Sequence, residues 1–516
     1  MRVCIAQIKH RVSRLEETLS EFKKNCECAL QNNVDVVVFP FMYVGHVEYE
    51  SLLNRPEFLK SNLDYLNFVK NQVDNRLCVV FGHYDICGGK IVDCVSVVSG
   101  HELVLTTKEV NVPILFRYKG KSLAILNFED DFLSKEFKAE SMACLRESQY
   151  LLIPSKSYFT RGKNNLRLSF FKRIAIENNT EVAYANSYGV HDSIVFDGLS
   201  FFINKHGELV QAKELEEDIL LNEGFASLEL DSPFVILDRV ISALVTALRE
   251  YVCLAGFNKV HLGISGGIDS AIVAYLACVA LGGDRVTGIS MPSRFSSRGS
   301  VADAKELARG LGFKLIDMPI EAVFSTTLEF FGDYFSTKGI TEENLQARLR
   351  GLFLMSYSNA NRSLLLNTGN KSEIAVGYYT LYGDSCGGIA LIGDLFKGDV
   401  YELARHINVK EGRDVIPTSI ILKEPSAELR LEQKDSDSLP TYEVLDEILN
   451  RYLIKNEPLD LLYKSFGKEL VVKVLDLYSG SEHKRRQGAM IVKVSNKTFG
   501  NDILLPISKV KLAIDE

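Results

Sequence analysis

The stretch Ser265-Gly266-Gly267-Ile268-Asp269-Ser270 constrains this chain more than any other. The apolar run Val260 to Ile264 leads into it, and an alanine- and valine-rich helical pattern, Ala271 to Leu281, leads out. That order is strand, tight glycine turn, helix. Without a Cβ, Gly266 and Gly267 let the backbone turn its N–H groups inward and let an anion come close. A helix starting at Ser270 adds unpaired N–H groups and the positive end of its dipole. Together these make a seat for phosphate. The spacing is not GxxxxGK[ST] and no lysine follows the glycines, so the loop is not that of a kinase or GTPase. Asp269 stands where a carboxylate can hold Mg²⁺ against a bound pyrophosphate. The bare motif also fits a plain helix entry, with Asp269 and Ser270 as caps.

A chain of 516 residues is expected to hold two or more domains, each with its own core. The formal charge of −8 argues against a broad nucleic-acid face. No 18-residue apolar span exists to cross a membrane, and MRVCIAQIKH lacks the features of a signal peptide, so a cytoplasmic location is expected. The 10 cysteines are scattered, with Cys26 and Cys28 the only close pair and no metal-ligand spacing.

Along the first half, strands are expected at Arg2 to Ile8, Val34 to Phe39, Leu77 to Phe81, Ile91 to Val98, Leu103 to Thr107 and Ser122 to Leu126. Tyr150 to Pro154, Glu181 to Asn186 and Leu199 to Asn204 follow, with helices at Leu15 to Gln31 and Leu166 to Asn178. Residues 226–239 carry turn formers and are expected to link residues 1–225 to a second domain, 240–516. There, strands at Val286 to Ser290, Phe313 to Asp317 and Leu364 to Leu366 alternate with helices, the pattern of a parallel, doubly wound sheet. Glu373 then opens a helix after the Asn367-Thr368-Gly369-Asn370 turn, so it is placed like Asp269, as a second possible Mg²⁺ ligand.

The glycine loop resembles that of the ATP pyrophosphatases, which split ATP into AMP and pyrophosphate. Dense phrases in the second half resemble NAD synthetases of the glutamine-dependent branch: SMPSRFSSRGSVADAKELARGLG, ENLQARLRG, LLLNTGNKSEIAVGYYTLYGDSCGG, EPSAELR, SLPTYEVLDEIL and EHKRRQ. The resemblance implies an ATP pyrophosphatase domain (adenine nucleotide alpha hydrolase-like) that amidates deamido-NAD to NAD. Under it, Gly263, Ser265, Gly266, Gly267, Asp269, Ser270, Ser290, Thr368 and Lys397 bind ATP. Asp269 and Glu373 hold Mg²⁺, and these two with Lys397 are the catalytic set. Asn344, Arg348, Asp384, Glu428, Leu429, His483 and Lys484 would contact deamido-NAD. It also implies a homodimer or larger even oligomer, with part of the contact near Leu349 to Tyr357.

The first half is similar to the nitrilase-like amidase domain joined to these synthetases, an α-β-β-α sandwich. MRVCIAQI, VDVVVFP, LNRPEFL, NSYGVHDSIVFDGLSFFINKHGELV and LEEDILL carry the likeness. That family hydrolyses glutamine with a Glu–Lys–Cys triad. Here the glutamate position is Phe41 and the cysteine position is Phe128, while Lys108 keeps the lysine. Phenylalanine neither accepts a proton nor attacks a carbonyl, so this half is expected to be catalytically inactive. Two rings would also fill the small polar pocket that an amide needs. Ammonia, free or from a partner protein, is then the expected nitrogen donor. Three other readings stay open at this point: glutamine use through another nucleophile, such as Cys94 or Cys144, another amidating or thiolating ATP pyrophosphatase, and a non-catalytic scaffold.

Overall fold

Runs that are apolar on both faces end up in sheets covered on both sides. β1 (Val3–Gln7) and β2 (Val36–Phe41) are such runs, and every residue of both is buried. They pair in parallel, joined by the helix α1 (Leu15–Gln31). The structure, a computed structural model, describes residues 1–9, 14–41, 55–88 and 90–508. Leu53 and Asn54 of the phrase LNRPEFL thus lie outside the described residues. The chain divides into two units, Met1–Ile236 and Leu237–Glu516.

In the first unit, β3 (Cys78–Cys87), β4 (Lys90–Ser99) and β5 (Glu102–Thr107) extend the first sheet beyond helix α2 (Pro56–Gln72). A second sheet grows from β6 (Ile114–Tyr118), β7 (Lys121–Ile125), β8 (Tyr150–Pro154) and β9 (Glu181–Ala185). It carries helices α3 (Ala139–Glu147) and α4 (Lys163–Asn178). β10 (Tyr188–His191) and β11 (Ile194–Asp197) form a separate hairpin. β12 (Phe201–Ile203), β13 (Glu208–Gln211), β14 (Asp218–Leu221) and β15 (Ala226–Ser227) complete the two sheets. The orders are β14-β1-β2-β3-β4-β5 and β15-β13-β12-β9-β8-β7-β6.

Three apolar cores follow from this. Ile5, Val38, Val80 and Val97 meet Ile125, Leu152 and Phe202 between the sheets. Phe22 and Tyr65 cover the outer face of the first sheet, and Leu168, Phe171 and Ile174 that of the second. The result is an α-β-β-α sandwich. Residues 226–239 are not a bare linker, because β15 lies in them and helix α5 (Pro233–Leu254) starts there, with proline at its first position.

The second unit has one sheet of β16 (Val260–Gly263), β17 (Val286–Ser290), β18 (Lys314–Asp317), β19 (Leu364–Asn367), β20 (Ile389–Ala390) and β21 (Met490–Ile491). Its order is β18-β17-β16-β19-β20-β21, and every pairing is parallel. The order reverses between β16 and β19, which opens a crevice at their carboxyl ends. Helices α6 (Ile268–Leu281), α7 (Arg298–Leu311), α8 (Glu321–Gly332) and α9 (Ile340–Asn361) accompany the first strands. α10 (Lys371–Val376), α11 (Lys397–Glu411), α12 (Thr418–Leu422), α13 (Tyr442–Leu449), α14 (Leu459–Phe466) and α15 (Lys468–Gly480) follow. α6 begins at Ile268, not Ser270, which places Asp269 in its first turn.

The first unit also buries an ion pair. Arg167 on α4 is fully enclosed and donates to Asp197 at 2.5 Å. Removing one partner strands the other charge in a low-dielectric core. Arg167→Met is therefore expected to destabilise the protein by about 3–5 kcal/mol, read as a fall in the urea midpoint. Adding Asp197→Asn to the same chain should recover much of that loss.

Candidate active site

From the end of β16 the chain turns through Ser265, Gly266 and Gly267 into α6. Gly266 has φ of +75°, and a Cβ there would lie 2.2 Å from the carbonyl oxygen of Ser300. Only glycine fits. The hydroxyl of Ser265 accepts from the Gly267 N–H at 3.2 Å, and Ser270 Oγ donates to the Gly267 carbonyl at 3.0 Å. No side chain caps α6, so the first N–H groups keep their capacity for an anion.

Three helix starts meet at this corner. Asp269 lies in the first turn of α6, Glu373 in the first turn of α10, and Lys397 is the first residue of α11. The Lys397 ammonium donates to Asp269 Oδ2 and, at 3.3 Å, to Glu373 Oε1. Asn370 caps α10, accepting from the Glu373 N–H at 3.0 Å and donating to Asp269 Oδ1 at 3.0 Å. Glu373 Oε2 returns to the Asn370 N–H at 3.4 Å, closing a capping box. Asp435 is buried close by and accepts from Tyr442 Oη at 2.9 Å.

Burial pushes the Glu373 carboxyl above the usual range; Asp269 and Asp435 add to that push, while Lys397 opposes it. Burial alone would lower Lys397, but Asp269 and Glu373 outweigh it and hold the ammonium above its ordinary range. Three carboxylates thus surround one ammonium, an arrangement short of positive charge. Deeper anchors fix the helix starts. Lys371 donates to Asp394 at 2.7 Å, and Ser372 Oγ donates to Asp446 while accepting from the Lys397 N–H at 2.8 Å.

The other expected substrate residues fall into two groups. Around the 377–388 turn, Thr380 Oγ1 donates to Asn344 at 2.8 Å, Arg348 Nε to the Leu381 carbonyl at 3.2 Å, and the Thr380 N–H to Asp384 at 2.6 Å. Lys484 binds the Gly377 and Tyr379 carbonyls at 2.7 and 2.8 Å, and His483 stays on its own helical turn through the Gly480 carbonyl. Glu428 and Leu429 sit elsewhere. Glu428 accepts from Ser300 Oγ at 2.6 Å, and the Leu429 carbonyl accepts from Gln346 at 2.9 Å. Ser290 ends β17 and Thr368 follows β19, at the ends of the two strands that flank β16. Asn370 and Asp435 were absent from the sequence expectations. The N-x-x-E spacing of Asn370 and Glu373 is a readable capping signature, whereas Asp435 reaches the corner only through tertiary folding.

Phe41 and Phe128, at the amidase positions of the first unit, belong to different apolar cores. Phe41 follows a bulge in β2 and belongs to the core between the sheets, its ring 2.2 Å from where a Cβ on Gly82 would stand. Phe128 belongs to the core under α4, with its ring 5.1 Å from Phe171 and 5.6 Å from Phe170. The two rings therefore fill separate apolar spaces and not one shared pocket, contrary to the sequence expectation. Lys108 pairs with Asp85 at 2.7 Å. Lys156 pairs with Asp93 and lies 5.1 Å over the Phe41 ring.

A glycine turn at the switch point of a parallel sheet, faced by carboxylates and a lysine at helix starts, defines an ATP-pyrophosphatase-type domain. The family model described as NAD synthase matches residues 240–488. The glutamine-dependent NAD(+) synthetase of Thermotoga maritima is 33% identical, covering 98% of both chains. The solved glutamine-dependent NAD+ synthetase of Acinetobacter baumannii, in complex with adenosine diphosphate, is 30% identical with a TM-score of 0.73, covering 98% of both. A solved chain from Cytophaga hutchinsonii, also named a glutamine-dependent NAD(+) synthetase, shares the fold at 17% identity and a TM-score of 0.81 over 98% of this chain and 97% of its own. The chain belongs to the NAD synthetase family, in its glutamine-dependent branch, and is thus a ligase that forms a C–N bond.

Asp269→Asn removes the charge opposite Lys397 while keeping the shape. It is expected to lower kcat for NAD formation by about 10²–10³-fold, and also to lower the thermal midpoint, since it leaves the buried Lys397 ammonium with Glu373 as its remaining ion-pair partner. Turnover with ATP, deamido-NAD and ammonium checks it.

Proposed function

We propose that the second unit joins ammonia to the nicotinate carboxylate of deamido-NAD at the expense of ATP. The carboxylate oxygen attacks the α-phosphorus of ATP, the bond to the β-phosphate bridge breaks, and pyrophosphate leaves. Ammonia then adds to the acyl carbon, AMP departs, and a proton is released to give the amide of NAD. The glycine turn and the start of α6 seat the phosphates. Lys397 offsets charge that builds on the departing pyrophosphate. No protein nucleophile is required, so alignment of the reactants supplies much of the rate. Asp269 and Glu373 are the residues that would hold Mg²⁺, since Mg²⁺ takes one or two carboxylates together with phosphate oxygens. Among the described residues no group of three or more His, Cys, Asp or Glu side chains is arranged to hold a metal alone, so phosphate oxygens would complete the shell. When bound, the ion neutralises phosphate charge.

The nitrogen source is ammonia. What carries this is the pair Phe41 and Phe128, two buried rings at the base and nucleophile positions of the amidase half. The relatives' names point to glutamine, but that chemistry needs a thiolate and a base. The remaining candidates are poor nucleophiles. Burial pushes the Cys94 thiol up to about 12 and raises Cys144 as well, and the two donate to the Val92 and Pro113 carbonyls. NAD formation should proceed with ammonium and fall to background with glutamine freed of ammonia. Robust synthesis from glutamine by the pure protein would refute this assignment.

The protein works as a symmetric oligomer, in keeping with the apolar surface on α8, α9 and the turn between them. Phe330, Tyr334, Phe335, Ile340, Leu352 and Met355 are exposed there, whereas Leu349 and Leu354 of the expected contact segment face the core. Light scattering should give an even number of subunits, and Leu352→Glu with Met355→Glu should lower it. A fully active monomer at working concentration would count against the pairing.

A further inference from the structure

Lys423 carries no role in the chemistry described so far, yet it touches the phosphate loop. It follows α12, and its ammonium has three partners. It donates to the Gly266 carbonyl at 2.9 Å, to Ser300 Oγ at 3.2 Å, and to the Asp303 carboxylate. An ammonium has three donors, so all are committed. Asp303 is buried on α7 and takes a second bond from Ser419 Oγ at 2.7 Å. Ser300 Oγ in turn donates a hydrogen bond to Glu428 at 2.6 Å.

The contact matters because of what a peptide group presents to an anion. One side of the Gly266–Gly267 peptide is a carbonyl oxygen, the negative end of the dipole; the other is an N–H. Glycine at φ of +75° has no Cβ to resist reorientation. A flipped peptide would aim its carbonyl at the phosphates and repel them. In the observed orientation the carbonyl is turned onto the Lys423 ammonium, and the Gly267 N–H holds Ser265 Oγ at 3.2 Å. One ammonium therefore sets both the peptide dipole and the Ser265 hydroxyl.

We infer that Lys423 is a positioning residue for ATP, locking the Gly266 peptide with its carbonyl away from the phosphates. This rests on the assignment of the loop as the seat of ATP. The competing role is a plain ion pair with Asp303 that ties α7 to the segment after α12, and the two roles separate experimentally. Isothermal titration of the full-length protein with Mg·ATP, with deamido-NAD as the control ligand, reads the first; thermal unfolding reads the second. Lys423→Met should weaken ATP binding at least tenfold and leave deamido-NAD binding within twofold. It also strands Asp303, so its thermal midpoint should fall. Lys423→Met combined with Asp303→Asn removes the pair together, and should recover the midpoint while ATP stays at least tenfold weaker. Recovery of ATP affinity along with the midpoint would overturn the proposal, as would unchanged ATP affinity in the double variant. Should Lys423→Met not fold, the double variant alone decides. Failure of the unaltered protein to bind ATP would overturn both this proposal and the assignment of the loop.

Discussion

One ammonium held between two carboxylates organises the second unit. Lys397 is 3% exposed, and burying a cation is costly unless its partners stay in place. Asp269 and Glu373 can stay in place only because each is in the first turn of a helix, and Asn370 bridges both. The start of α10 is pinned from behind by Lys371 on Asp394 and by Ser372 on Asp446. The charges are therefore oriented before any substrate arrives, the condition under which electrostatic stabilisation is most effective.

The first unit rests on apolar packing. Its three apolar cores depend on Val, Ile and Phe positions along the strands and helices, and these are filled. Under the resemblance to the amidases, two positions in these cores would carry the acid and the thiol of a triad, and here Phe41 and Phe128 stand there as rings. A buried acid and thiol cost folding energy that function would otherwise justify, whereas aromatic rings contribute packing at the same places. Phe128 with Phe132, Phe170 and Phe171 is an aromatic cluster that a cysteine could not have formed.

Much of this was legible in the sequence, and the rest was not for identifiable reasons. Val286–Ser290 and Tyr150–Pro154 have the expected bounds because largely buried parallel strands stand out from the polar and turn-forming residues around them. β13 and β14, with no fully buried residue, have no such signature and were missed. Helix α6 starts early because Ile268 is buried and draws the first turn back over the glycines. At the site, Asp269 and Glu373 could be read from their places at helix starts after strand ends, whereas Lys397 came from resemblance alone, since a lone lysine after Phe396 carries no local signal. Lys423 reaches the site through contacts more than 100 residues away in sequence, and Asp435 acts there through its charge on Lys397 and Asp269, relations no local spacing encodes.

The capping box of α10 has a consequence for local order. This helix has six residues, too few to persist by itself. Its cap is made by Asn370 and Glu373, and Glu373 also faces Lys397. A carboxylate has lone pairs enough for several partners, so one side chain both closes the helix and holds the Lys397 ammonium. Order of this short helix and placement of the ion pair are then the same equilibrium. Whatever draws Glu373 off the Asn370 N–H also loosens the start of α10, so a change in the partners of one carboxylate is felt in the backbone of a single short turn.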